Sequence, residues 1–241
     1  MKKIFLSLTI ATLILGGCSF ITKQILKNKR ESFVQVMALS IQTTSGLPSS
    51  SVASGFAVAE RDEGTYIMTA GHFCVNSVTQ DGQIIIENNI FVNTSEGESH
   101  KAILVGLSHK IDACLLRTKP LDMAPLEISL HNPSRYDEIL NIAAPAGMFG
   151  EDVALVYEGR YIGRETIGSI SMDVYNIPAF PGSSGSPVLN SYGHVIGMVV
   201  STAGGFFHMA FSPTHNEIIN FLEEHIDLER YEIPEETLLI E

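Results

Sequence analysis

Three short stretches of this chain hold the residue types that nucleophilic acyl transfer needs. Gly182-Ser183-Ser184-Gly185-Ser186-Pro187 follows Pro181 and runs into the apolar pair Val188-Leu189. Thr69-Ala70-Gly71-His72 lies upstream, and Ile111-Asp112-Ala113-Cys114-Leu115-Leu116 lies between them. A serine hydroxyl is a poor nucleophile at neutral pH. It needs a base within hydrogen-bond reach, and the base needs a carboxylate to orient it. The chain order His, Asp, Ser is one of the arrangements that meet this need. His72 is then the base and later the acid, Asp112 fixes its tautomer, and Ser184 attacks. The oxyanion that develops needs preorganised N–H donors. A glycine two residues before the serine lets the backbone gather them, which assigns that role to the N–H groups of Gly182 and Ser184.

Each residue also has a plainer reading. Ser184 alone is an ordinary turn serine. The other seven histidines (His100, His109, His131, His194, His208, His215 and His225) read as surface, strand or turn residues. Asp81, Asp122 and Asp152 compete with Asp112, but only Asp112 leads into a strand-like apolar run. Metal binding is not expected, because Cys74, Cys114 and the scattered histidines show no ligand spacing. No phosphate-loop pattern occurs either, and no cofactor is implied.

The elements that must position these residues are short strands. Strand-like runs fall at Phe33–Ile41, Gly55–Ala59, Thr65–Thr69, Gln83–Glu87, Ile90–Asn93, Ala102–Leu107 and Ile111–Arg117. Pro120, Pro125 and Pro133 punctuate a connector. A second series runs Glu138–Ala144, Asp152–Tyr157, Ser169–Ile177, Pro187–Asn190, Val195–Ser201 and Phe207–Phe211. This spacing predicts an all-β chain of two antiparallel Greek-key barrels, 33–118 and 133–213, joined by a connector at 119–132. One helix is marked over 214–228. Thr214 and Glu217 form a capping box, and Ile218, Ile219, Phe221, Leu222 and Ile226 form an apolar face.

The motifs resemble those of the chymotrypsin-fold, trypsin-like serine peptidases. Thr-Ala-Gly-His, Asp-Ala-Cys-Leu-Leu and Pro-Gly-Ser-Ser-Gly-Ser-Pro-Val match the family's three signatures, with the serine motif nearest the bacterial HtrA-like and glutamyl-endopeptidase-like branch. Ala53-Ser54-Gly55-Phe56 and Gly193-His194-Val195-Ile196-Gly197 extend the similarity, which covers roughly residues 33 to 226. The resemblance implies an active site between the barrels, a C-terminal helix packed on the second one, and an acyl-enzyme route through peptide bonds. It implies a substrate pocket from Pro178, Ala179 and Phe180 with a wall from Val199, Val200 and Ser201. Such a pocket suits small or medium apolar side chains. His208 is either a half-exposed strand residue or a pocket-border group for an acidic side chain. Ser183 cannot make the ion pair that activates digestive relatives, so no zymogen switch of that kind is expected. Relatives often carry a PDZ domain, for which too little chain follows residue 226.

Two features depart from the family pattern. Phe73 is inserted after the histidine, and the usual disulfide there has no upstream partner. Cys74 lies two after His72 and Cys114 two after Asp112. A Cys74–Cys114 bridge in an oxidising compartment is one outcome, and two buried apolar thiols are the other.

The N-terminus reads as an address. Lys2 and Lys3 precede the apolar run Ile4 to Leu15, which has signal-peptide length and is short of the ~20 residues that span a bilayer. Leu15-Gly16-Gly17-Cys18 resembles a bacterial lipobox, with residues 1–17 removed and the Cys18 thiol acylated. Residues 18–32 would then be a tether to the membrane. Ser19 after the cysteine matches outer-membrane sorting in a Gram-negative cell. The formal net charge is −12, and losing the two leader lysines lowers it further. An acidic chain of this kind disfavours nucleic acid as a partner. The expected partner is a protein or peptide substrate. The rival expectation is an idle peptidase-fold binding module on the membrane. The acidic tail 229–241 has no assigned role.

Overall fold

The structure is a computed structural model that describes residues 26, 29–41, 48–74, 89–151 and 153–226. The leader 1–17, Cys18, most of the tether, the expected strand Gln83–Glu87 and the tail 229–241 lie outside the described residues. Among those described, no helix is long and apolar enough to cross a membrane.

The first half forms a closed barrel of β1 (Phe33–Ile41), β2 (Pro48–Arg61), β3 (Gly64–Ala70), β4 (Asn89–Asn93), β5 (Ser99–Ser108) and β6 (Ala113–Arg117). The order is β1-β2-β3-β6-β5-β4, and β4 pairs back onto β1. β3 therefore skips its neighbour in sequence and pairs with β6, a Greek-key connection. That pairing matters most for the site, because the histidine follows β3 and the aspartate precedes β6. β1 shows the period of a strand with one buried face: Val34, Val36 and Ala38 are buried, Gln35 and Met37 half-buried. These residues pack inside the barrel with Ile67, Val92 and Leu116. β2 is much longer than its apolar run Gly55–Ala59, because β1 pairs with it from Pro48 onward.

The second half holds β7 (Glu138–Ala143), β8 (Phe149–Gly150), β9 (Val153–Ile167), β10 (Ile170–Tyr175), β11 (Pro187–Asn190), β12 (Val195–Met198), β13 (Ser201–Ala203) and β14 (Phe206–Pro213). The order is β12-β11-β7-β9-β10-β14-β13, with β8 on β9. This sheet curls into a half-barrel and does not close. The expected single strand Val195–Ser201 is broken at Val199-Val200. Val199 N–H still donates to Ser186 C=O just before β11, but Val200 N–H donates to Phe211 C=O of β14, at 2.9 Å each, so the chain hands over from β11 to β14 at this point. Met198 N–H also reaches β14, donating to the Ser212 hydroxyl at 2.9 Å.

The two halves share a core. Phe33, Phe56, Met68 and Leu115 of the first pack with Leu140, Ile142, Leu189 and Met198 of the second. A fully buried side chain of this size contributes roughly 1.5–3 kcal/mol. The connector stitches the halves further. Leu126 N–H donates to Ala57 C=O, and Ser129 N–H to Val195 C=O.

Helix α2 (His215–His225) starts where the sequence predicts. The Thr214 hydroxyl accepts from Glu217 N–H, and Thr214 N–H donates to the Glu217 carboxylate. Thr214→Ala removes half of this box and is expected to cost about 1 kcal/mol of stability, measured by urea unfolding. Asp173 supports the same helix end. This fully buried carboxylate accepts from His215 N–H at 3.0 Å and from Arg164 Nε at 2.9 Å. It also accepts from the Tyr161 hydroxyl at 3.0 Å. Burial and that neighbouring charge push the Tyr161 phenol up to about 12. The helix packs on both halves and not on the second alone. Ile218, Phe221, Leu222 and Ile226 enter the shared core, and the His225 ring sits on Gly106 of β5. A Cβ at Gly106 would lie 2.2 Å from that ring, so only glycine allows the approach.

Candidate active site

β3 ends at Ala70 and turns directly into α1 (Gly71–Cys74), a single helical turn that carries His72. The β3–β6 pairing brings Ala113 opposite Ala70, which sets Asp112 beside the turn. Asp112 sits at φ +53°, a left-handed conformation that Asp tolerates better than most residues. Its backbone carbonyl accepts from Gly71 N–H at 2.8 Å. One carboxylate oxygen accepts from His72 N–H at 2.5 Å, and the other faces His72 Nδ1 at 2.8 Å. A carboxylate only accepts, so Nδ1 carries the proton and Nε2 keeps a free lone pair. The hydrogen bond and charge of Asp112 hold the His72 pKa above its usual value, against a smaller opposing effect of burial. A Cβ on Gly71 would meet Ala113 N at 2.8 Å, so the close fit of turn to strand also requires glycine.

Cys74 and Cys114 are bonded to each other, with Cα atoms 6.4 Å apart. The two thiols are therefore not free in the core. The bridge ties the histidine turn to the aspartate strand, across a separation of 40 residues. Constraint of the unfolded chain by a loop of this size is worth about 2–4 kcal/mol. Cys74→Ala/Cys114→Ala is expected to lose that much stability in denaturant, and dithiothreitol is expected to reproduce the loss in the wild type. A loss below 1 kcal/mol would contradict it.

The serine loop reaches this region from the second half. A Cβ on Gly185 (φ +85°) would lie 2.1 Å from Ser54 C=O, 2.4 Å from the Thr69 hydroxyl and 3.1 Å from Ala70 N. The loop thus lies against the end of β3, beside the turn that bears His72. Ser184 is partly exposed. No hydrogen bond joins its hydroxyl to His72 among the described residues. Such bonds are commonly long without substrate and tighten when it binds.

Backbone accounting of the loop is nearly complete. Phe180 N–H donates to the Ser183 hydroxyl at 3.2 Å, and Ser183 N–H to Phe180 C=O at 2.8 Å. Pro181 C=O accepts from Ala146 N–H at 2.7 Å, and Ser183 C=O from Ser186 N–H at 3.0 Å. Ser184 C=O accepts from Ser54 N–H at 2.8 Å, while Gly185 N–H donates to Val199 C=O at 2.7 Å. Gly182 C=O accepts from the Ser54 hydroxyl at 2.8 Å. Only two N–H groups of residues 182–186 have no acceptor among the described residues: Gly182 and Ser184. In a planar trans peptide the N–H points opposite to its carbonyl. The bonds to Pro181 C=O and Ser183 C=O therefore turn these two N–H groups away from the body of the loop. The Gly182–Ser183 peptide between them is held at both ends, its carbonyl by the Ser54 hydroxyl and its N–H by Phe180 C=O. Gly182 takes φ +98°, and a Cβ there would meet Ala144 C=O at 2.6 Å.

The expected pocket residues divide. Ala179 and Val200 are buried and pack in the core, Pro178 is half-buried, and Ser201 and His208 are exposed. Phe180 stacks on Phe207 with ring centroids 5.5 Å apart, held by Ala179 N–H donating to Phe207 C=O. The amino-acid sequence carries no sign of that stack. It also carries none for Ala146, which acts through its backbone N–H and sits at φ +53°. Among the described residues, no group of three or more His, Cys, Asp or Glu is placed to hold a metal ion.

A closed barrel, a half-barrel and a shared C-terminal helix, with a His–Asp pair and a serine loop at the junction, make up a chymotrypsin-like fold. The trypsin-like peptidase domain family matches residues 53–198, and the chain belongs to that family. It is 26% identical over 181 residues to a probable periplasmic serine endoprotease, DegP-like, of Pseudomonas savastanoi pv. phaseolicola. That match covers 69% of this chain and 36% of the relative. A DegP-like protein of Chlamydia pneumoniae is 25% identical over 147 residues, 56% of this chain and 30% of the relative. The chain thus spans about a third of the length of these relatives. Among solved structures, the active form of the Rv3671c protease of M. tuberculosis superposes with a TM-score of 0.68 at 17% identity, covering 86% of both chains. A serine endoprotease of Yersinia pestis gives 0.63 at 19% identity, covering 85% of this chain and 66% of the other. At these identities the structural matches speak for the fold.

Proposed function

We propose that the chain is a serine endopeptidase of the cell envelope that hydrolyses peptide bonds through an acyl-enzyme. His72 Nε2 takes the Ser184 proton as the hydroxyl attacks the scissile carbonyl. Asp112 holds the Nδ1 proton and stabilises the imidazolium. The N–H groups of Gly182 and Ser184 receive the oxyanion. His72 then protonates the leaving amine, and water repeats the cycle to release the acid. The observation that carries this reading is the loop accounting: every polar backbone group that could collapse the hole is engaged elsewhere, and the two needed donors are left over. Two preorganised donors of this kind are worth about 3–4 kcal/mol each in the transition state.

The envelope location rests on the lipobox-like Leu15-Gly16-Gly17-Cys18 run and on the periplasmic description of the DegP-like relatives. A lipid anchor at Cys18 would place the protein on a membrane surface, the periplasmic face of the outer membrane in a Gram-negative cell. The Phe73 inserted next to His72 favours a second reading, an idle peptidase-fold binding module. Incubation with unfolded protein substrates, with cut sites mapped by mass spectrometry, separates the two. Cleavage after small or medium apolar residues is expected from a pocket near Pro178, Ala179, Val200 and Ser201. Cleavage confined to acidic residues would assign His208 to the pocket, and no cleavage would favour the binding module.

A further inference from the structure

Ser54 belongs to the Ala53-Ser54-Gly55-Phe56 run, to which the catalytic reading gives no task. It lies in β2 and is fully buried. Its polar groups reach the serine loop, Ala144 and the strand before the histidine. The hydroxyl donates to Gly182 C=O at 2.8 Å and accepts from Ala144 N–H at 3.0 Å. The backbone N–H donates to Ser184 C=O at 2.8 Å. The backbone carbonyl accepts from the Thr69 hydroxyl at 2.7 Å, three residues before His72. One residue of the first barrel thus grips the serine loop on both sides of its turn and also the strand that delivers the base.

The Gly182 carbonyl is the sensitive point. It belongs to the Gly182–Ser183 peptide, which lies between the two peptides whose N–H groups are left free. Its orientation sets ψ of Gly182 and φ of Ser183, the two dihedrals that join it to those neighbours. Gly182 has no side chain to resist rotation, and its cradle against Ala144 C=O admits none. The peptide is held at both ends, its N–H by Phe180 C=O at 2.8 Å and its carbonyl by the Ser54 hydroxyl, which is the hold that reaches it from the first barrel. The same hydroxyl fixes Ala144, two residues before the Ala146 N–H that holds Pro181 C=O.

We propose that Ser54 is a positioning residue that keeps the oxyanion hole formed in the absence of substrate, a role that rests on the serine-peptidase reading above. It takes no part in proton transfer and acts only through the orientation of the Gly182 and Ser184 N–H groups. Deleting one oxyanion donor costs ~10²–10³ in kcat, and letting two donors disorder part of the time costs less, about 30-fold.

The test uses the full chain as wild type, Ser54→Ala and Ser54→Cys. Cysteine nearly keeps the shape of serine, but its thiol is a weak donor and acceptor. Both variants are expected to lose at least about tenfold in kcat and in fluorophosphonate labelling rate, with KM within about threefold. The acid limb of the pH profile is expected to stay in place, because the His72–Asp112 pair is untouched. Ser54→Cys that melts like wild type and keeps kcat within about twofold would overturn the proposal. A kcat loss that comes with a shifted acid limb or an unfolded Ser54→Cys would also overturn it, in favour of a general structural role. A wild type that neither cleaves nor labels would remove the peptidase reading itself, an outcome distinct from both.

Discussion

Ser184→Ala is expected to lower kcat/KM toward a peptide by at least ~10³-fold and to abolish any acyl-enzyme. The variant should keep the wild-type melting temperature, because the Ser184 hydroxyl is bonded to nothing else among the described residues and the backbone bond from Ser54 N–H to Ser184 C=O survives. Residual hydrolysis above the uncatalysed rate would come from the hole and from binding alone. Steady-state hydrolysis of one peptide by both proteins at matched folded concentration is the check. Equal rates would mean that Ser184 is an ordinary turn serine.

The second large effect is expected at Asp112. Asp112→Asn keeps the shape but can offer an N–H where the carboxylate only accepted. His72 Nδ1 would then accept, the ring proton would move to Nε2, and the base would be lost. A fall of ~10⁴-fold in kcat is expected from the wrong tautomer. The pH profile gives a second reading of the same residue. Asp112 raises the His72 pKa, and neutral His72 is the active form. The wild-type kcat/KM therefore falls with acid through a value above 6.5, the ordinary histidine value. Removing the carboxylate removes the cause of that rise, so the acid limb of Asp112→Asn moves to lower pH while its plateau collapses. A limb that stays put would mean that another group sets it.

Much of this was legible in the chain because it is locally encoded. Phe33–Ile41 and Pro187–Asn190 have the strand bounds that their apolar runs predict. Thr214 and Glu217 mark the helix start through a capping box that needs only residues three apart. What was not legible depends on partners far away. Val199 and Val200 look like plain continuation of one strand, but Val199 C=O takes Gly185 N–H of the serine loop while Val200 N–H goes to Phe211 of β14, so the strand hands over from one partner to another. β9 extends to Ile167, well past the apolar run Asp152–Tyr157, because β10 supplies pairing partners for its polar second half.

The site divides in the same way. His72, Asp112 and the serine loop carry motif context in their own neighbours. The Cys74–Cys114 bridge could not be decided from spacing, since it depends on the register that sets Ala70 against Ala113. Ala146 works through a backbone N–H, so its side chain carries no trace of the task. Ser54 was visible as part of a motif, yet its partners at Ala144, Gly182 and Ser184 appear only once the loop folds onto β2.

The most direct test of an assembled, activated serine is intact-mass measurement after treatment with a fluorophosphonate, on wild type beside Ser184→Ala. A single adduct on the wild type and none on the variant is the expected result, because phosphonylation needs the base, the nucleophile and the two free N–H groups at once. A folded wild type that stays unlabelled, or an adduct that persists in Ser184→Ala, would contradict it.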